Sequence, residues 1–142
     1  MRFEYAGLGA PELKGCSEAH VFVDVEADLT IIDDDREFWR EASFPVVELA
    51  VALWVWKKVP GSRRKDFEFD SLSLEDRWRV RIVHLDSAWR LVEDGAGKSV
   101  YGASLSAGDV DAEIDRFSLE LRRACVDIFG PWIEEFLPPV RA

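Results

Sequence analysis

The sequence predicts an α+β fold: an antiparallel sheet of about five or six strands, with a central helix and a C-terminal helix packed on one face. Three observations lead there. Apolar and polar side chains alternate from His20 to Ile32 and again between Phe67 and Leu105, a nearly unbroken apolar run covers Val46 to Trp56, and apolar residues recur at steps of three and four from Val110 to Ile128. A period of two marks a strand with one buried face, and a period near 3.6 marks an amphipathic helix. The 142 residues suit one domain, 1–142. With 48% hydrophobic and 32% charged residues, the chain has apolar surface enough to fold.

The elements follow in order. Met1 to Lys14 carries Glu4 and Glu12 and lacks the apolar run of a secretory signal, so it reads as a loop of a cytoplasmic protein. From His20 to Ile32, Val21, Val23, Val25, Ala27, Leu29 and Ile31 point one way, and Asp24, Glu26, Asp28 and Thr30 mostly the other, as in one long strand. Asp33, Asp34 and Asp35 break the alternation, which Arg36 to Ala42 resumes, predicting a hairpin. Pro45 suits a first helical turn, and the Leu and Ala content of Val46 to Trp56 favours a buried helix, stopped by Val59-Pro60-Gly61-Ser62. Lys57 and Lys58 complement its C-terminal dipole.

A meander follows. Phe67 and Phe69 form a short strand, Trp78 to His84 a longer one, and Ala88 to Glu93 and Ser99 to Leu105 pair across the Gly95-Ala96-Gly97 turn. Asp109 or Ser106 caps the last helix, at a spacing that resembles a capping box, and Gly130-Pro131 ends it before a final amphipathic turn from Trp132 to Leu137. The carboxylate row Asp24, Glu26, Asp28 and the guanidinium row Arg77, Arg79, Arg81 share the two-residue period, so they are expected to pair across neighbouring strands.

Charge and chemistry narrow the function. Twenty-eight acids against 18 bases leave a net charge of -10, which disfavours nucleic-acid and membrane-surface binding and favours cationic partners. No apolar stretch approaches the roughly 20 residues a membrane helix needs. Cys16 and Cys125 show no metal-ligand or disulfide spacing and read as free thiols of a reducing compartment. His20 and His84 sit in strand patterns away from any nucleophile. Asp33-Asp34-Asp35 lacks the spacing of a calcium loop, the acidic stretch Glu68, Asp70, Glu75, Asp76 shows no sign of paired catalytic carboxylates, and Gly95-Ala96-Gly97-Lys98 is not a phosphate loop. The basic segment Lys57 to Lys65 reads as a solvated loop or a contact for an acidic partner, and the six tryptophans as mostly core. No cofactor, metal site or catalytic residue is predicted.

The segments Ser43-Phe44-Pro45-Val46-Val47-Glu48-Leu49-Ala50 and Asp66-Phe67-Glu68-Phe69-Asp70-Ser71, with the Trp-containing strand pair and terminal helix that follow, resemble a family of small uncharacterised bacterial proteins from about Val21 onward. In style, a small acidic Trp-rich chain resembles the immunity proteins that neutralise polymorphic bacterial toxins; that likeness implies no site residues. The expectation is a non-enzymatic protein-binding module of immunity type that occludes a basic toxin domain, with Asp24, Glu26, Asp28, Asp33, Asp34 and Asp35 as partner-binding residues. The alternatives are a small-molecule binder or enzyme with its pocket between the central helix and the sheet, and a self-associating subunit.

Overall fold

The computed structural model describes residues 1–142 other than 12, 14, 73, 75–77, 79 and 140–142. Its elements are β1 (Arg2–Gly9), α1 (Glu18–Asp24), β2 (Glu26–Asp33), β3 (Arg36–Phe44), α2 (Val46–Lys57), β4 (Phe67–Glu68), β5 (Val80–Leu85), β6 (Ala88–Gly95), β7 (Lys98–Tyr101), α3 (Ala107–Phe129) and a 3-10 helix (Pro131–Phe136). The α+β class holds. The strands form two antiparallel sheets, β1-β2-β3 and β4-β5-β6-β7, where one sheet was expected.

The break between the sheets has an aromatic seal. Trp39 and Phe44 of β3 meet Phe69 and Trp78 from the other sheet's side, with ring centroids 5.1 to 5.8 Å apart in mostly edge or tilted contacts. Beneath them α2 and α3 pack on each other, and one continuous core takes in Leu29, Ile31, Leu49, Leu53, Ile82, Leu91, Ile114, Phe117 and Leu121. Of the two candidate caps, Ser106 caps α3 through its hydroxyl, which accepts the Asp109 N–H at 3.0 Å. Gly130, at φ 103°, ends it.

Two stretches depart from the sequence reading. The long strand expected from His20 to Ile32 is α1 followed by β2. Ser17 caps α1, accepting the His20 N–H, and Val21 and Val25 are both buried, so a spacing of four that also fits the alternation serves a helix face. Residues expected to be loop form β1, whose Phe3 side chain lies 5.3 Å from the Phe117 ring. The outer edge of β1 is clasped by α3: the Phe3 N–H donates to Glu113 at 2.7 Å, and Arg116 donates to the Phe3 carbonyl at 2.7 Å. That clasp occupies the strand edge at Phe3, where an added strand would otherwise find a free N–H and carbonyl.

The hairpin expected at Asp33 to Asp35 forms, and a second of the same kind joins β5 to β6. Asp34 and Asp35 (φ 50° and 59°) connect Asp33 to its partner Arg36, and Asp86 and Ser87 (φ 53° and 62°) do the same between Leu85 and Ala88. Both central residues at positive φ give the mirror-image turn that matches strand twist, and Asp tolerates it better than most residues.

The expected pairing of carboxylate and guanidinium rows does not occur at Arg81. Strand β5, which carries it, is in the other sheet from β2, and Arg81 binds Asp94 across the β5-β6 pair at 2.6 and 3.1 Å. Asp24 lies on α1, and Arg77 and Arg79 fall outside the described residues, as do Glu75 and Asp76 of the second acidic stretch.

The basic segment is also more than a solvated loop. Arg64 is 8% exposed and donates to the Val59 carbonyl at 2.9 Å, the Lys57 carbonyl at 3.0 Å and Asp111 at 2.8 Å, with its guanidinium 4.5 Å from the Trp56 ring centre. It therefore satisfies carbonyls at the end of α2 and ties that end to α3. A second buried charge joins the two segments that carry the family likeness. Glu48 of α2 accepts hydrogen bonds from the Ser71 hydroxyl and, at 3.0 Å, from the Leu72 N–H.

Both cysteines are free, Cys16 exposed and Cys125 buried in α3. Burial pushes the Cys125 thiol up to about 12, leaving little thiolate near neutral pH. A maleimide at about pH 8 is expected to modify Cys16 quickly and Cys125 only after unfolding; rapid labelling of both in the native protein would show that α3 opens.

Candidate functional site

Alternation along β2 turns Ala27, Leu29, Ile31 and Asp33 inward and Glu26, Asp28, Thr30 and Ile32 outward. The outward row is the centre of an open sheet face. Pairing sets Glu4 of β1 and Arg40 of β3 on either side of Thr30, and Ala6 beside Asp28. A shallow groove of about 380 Å³ crosses the three strands here, with Glu4, Asp28, Thr30, Arg40 and Glu41 among its walls.

Both partners of β2 bulge next to Asp28. On β1 the three steps from Ala6 to Gly9 oppose two on β2, and Gly7 takes φ 66°; on β3 the three steps from Phe44 to Glu41 oppose two, and Ser43 takes φ 52°. The second bulge aims the Ser43 N–H at Asp28, 3.1 Å from its carboxylate. Bulges re-aim side chains and are enriched beside functional positions.

The groove is electronegative. Glu4 pairs with Arg2 at 3.0 Å and Arg40 with Glu37 at 2.9 Å, whereas no cation among the described residues pairs with Asp28 or Glu41. Partial burial raises the Glu41 carboxyl above its ordinary value, since desolvation disfavours the charged form. A cation docking there would offset that penalty.

The six expected site residues separate. Glu26 and Asp28 share the outward face of β2, Asp24 is at the end of α1, and Asp34 and Asp35 are exposed at the hairpin tip. Asp33 points inward and is 8% exposed, so it is no part of an outer surface: one of its oxygens accepts the Ala103 N–H at 2.8 Å, and the other lies 3.8 Å from the Met1 amino group. Glu4, Arg40 and Glu41 were missed because their placement depends on cross-strand register. The alternation Arg2-Phe3-Glu4-Tyr5, charged out and aromatic in, was the available signal for β1.

Both histidines were expected in strands away from any nucleophile, and His20 departs from that reading. His20 is in α1, and its ring meets the Ser17 hydroxyl at 2.5 Å within an exposed cap. His84 is exposed on β5, its ring 5.0 Å from that of Trp89. Among the described residues no group of three His, Cys, Asp or Glu side chains is placed to hold a metal ion, and no helix is long and apolar enough to cross a membrane.

A family model matches residues 2–124, from the first residue of β1 to within α3. The chain belongs to the DUF7878 family, a domain of unknown function. The DUF7878 match takes in both sheets, α2 and every wall residue of the groove named above, along with the two segments that carried the likeness to uncharacterised bacterial proteins. No curated protein and no solved structure matches the chain.

Proposed function

We propose that this DUF7878 protein is a non-enzymatic binding module whose open three-stranded face takes a cationic protein surface. The observation that carries the reading is the groove centred on Asp28, with bulges on both sides and two carboxylates that no described cation neutralises. Opposed charge speeds encounter and fixes register, and it rejects acidic competitors. A toxin domain with a basic nucleic-acid cleft has the complementary chemistry, and occluding it in the cytoplasm is the immunity-type role in this proposal.

Immobilised wild-type protein is expected to retain a basic partner that the Glu26→Lys/Asp28→Lys variant retains at least about tenfold less, with release as salt shortens the screening length. The variant gives up the Ser43 N–H bond to Asp28 and is expected to unfold a few degrees lower while staying folded, since both changes are on the outer face. Equal capture by a folded variant, or capture indifferent to salt, counts against this face.

A further inference from the structure

A cavity opens between α2 and α3, where the sequence reading expected a pocket between the central helix and the sheet. We propose that it is a binding site for a small organic carboxylate with an apolar body. Its volume, about 480 Å³, is that of a small-molecule pocket. Trp54 and Leu119 supply apolar wall, completed by Pro139.

Charge assigns the head group. Two ammonium groups border the cavity, and they are not equivalent. Lys57 is neutralised by Asp115 at 2.6 Å, whereas Lys58 stands 3.5 Å over the Trp54 ring and pairs with no carboxylate among the described residues. In a chain of net charge -10, one uncompensated cation beside an apolar wall is a local attraction for a single negative charge. A phosphate dianion would bring a second charge close to Asp115, so a monoanion fits better.

A second, independent observation is Ser118. It lines the same cavity from α3, is 6% exposed, and its hydroxyl has no hydrogen-bond partner. A buried hydroxyl left unpaired is costly, and an acceptor oxygen brought into the cavity that Ser118 lines would offset that cost.

Calorimetric titration with phenylacetate and hexanoate tests the site, with phenylacetamide and inorganic phosphate as contrasts. The expected result is saturable binding of at least one carboxylate, weakened about tenfold or more by Lys58→Gln and several-fold by Ser118→Ala, and by a similar factor in the neutral amide. Lys58 is exposed, so its variant stays folded and keeps the test decisive if Ser118→Ala is unstable. The proposal is overturned by any of four outcomes: no saturable binding of either carboxylate, equal binding of the amide, affinity unchanged in both variants, or a preference for phosphate.

Discussion

Arg64→Ala is expected to lower the unfolding free energy by about 2–3 kcal/mol, the scale of the hydrogen bonds of a buried charged donor whose ionic partner is 32% exposed. The reason lies in what the guanidinium leaves behind. Its loss orphans the Lys57 and Val59 carbonyls, strands the Asp111 carboxylate against α2, and removes the planar group that covers Trp56. Arg64→Lys should keep most of the loss, because a single ammonium cannot donate in three fixed directions or stack on an indole. Asp111→Ala should cost less, since that side chain is 32% exposed and water takes over part of its role. Urea unfolding of the three variants at constant slope is the measurement. A lysine variant as stable as the wild type would show that charge alone, without the fork geometry, holds the end of α2.

Gly102→Ala is expected to cost about 2–3 kcal/mol by overpacking at a contact between the two sheets. A Cβ there would stand 2.7 Å from Asp33 Oδ2 and 3.3 Å from the Leu91 Cβ. The carboxylate cannot step aside without giving up the Ala103 N–H that it accepts at 2.8 Å. Asp33→Ala alone removes that acceptor and is expected to cost about 1–3 kcal/mol. In the double variant the clash is gone, so the two losses should fall short of additive by about 1–2 kcal/mol. Strict additivity would mean that the approach is relieved elsewhere. The cycle also separates the two roles given to Asp33: a large stability loss is the signature of an internal brace between the end of β2 and the segment after β7.

Much of this architecture is legible without coordinates, for identifiable reasons. Helix α3 announces itself because Val110, Ile114, Phe117, Leu121 and Cys125 all enter the core at helical spacing, behind a Ser cap that needs only local geometry. Helix α2 is legible from Pro45 and its apolar length. Helix α1 is not: Val21, Phe22, Val23 and Val25 favour a strand by propensity, and docking on α2 overrides it. Strand β1 hides for a different reason, since Phe3 finds its partners on α3, 110 residues away.

The candidate site divides along the same line. Glu26 and Asp28 follow from alternation within one strand. Glu4 and Glu41 join them only through a register shifted by bulges on both flanks, and no local pattern encodes which residue bulges. Arg64 illustrates the opposite error: a cation after Pro60-Gly61-Ser62 looks solvated until Asp111, 47 positions on, is brought against it.

The clasp of Glu113 and Arg116 on Phe3 bears on how the protein is made. The free N–H and carbonyl of Phe3 are taken up by side chains 110 and 113 positions further along, so until α3 docks that part of the strand has no partner. Contacts so far apart in sequence form later than local ones, and in that interval the bare side of the strand can anneal to a neighbour.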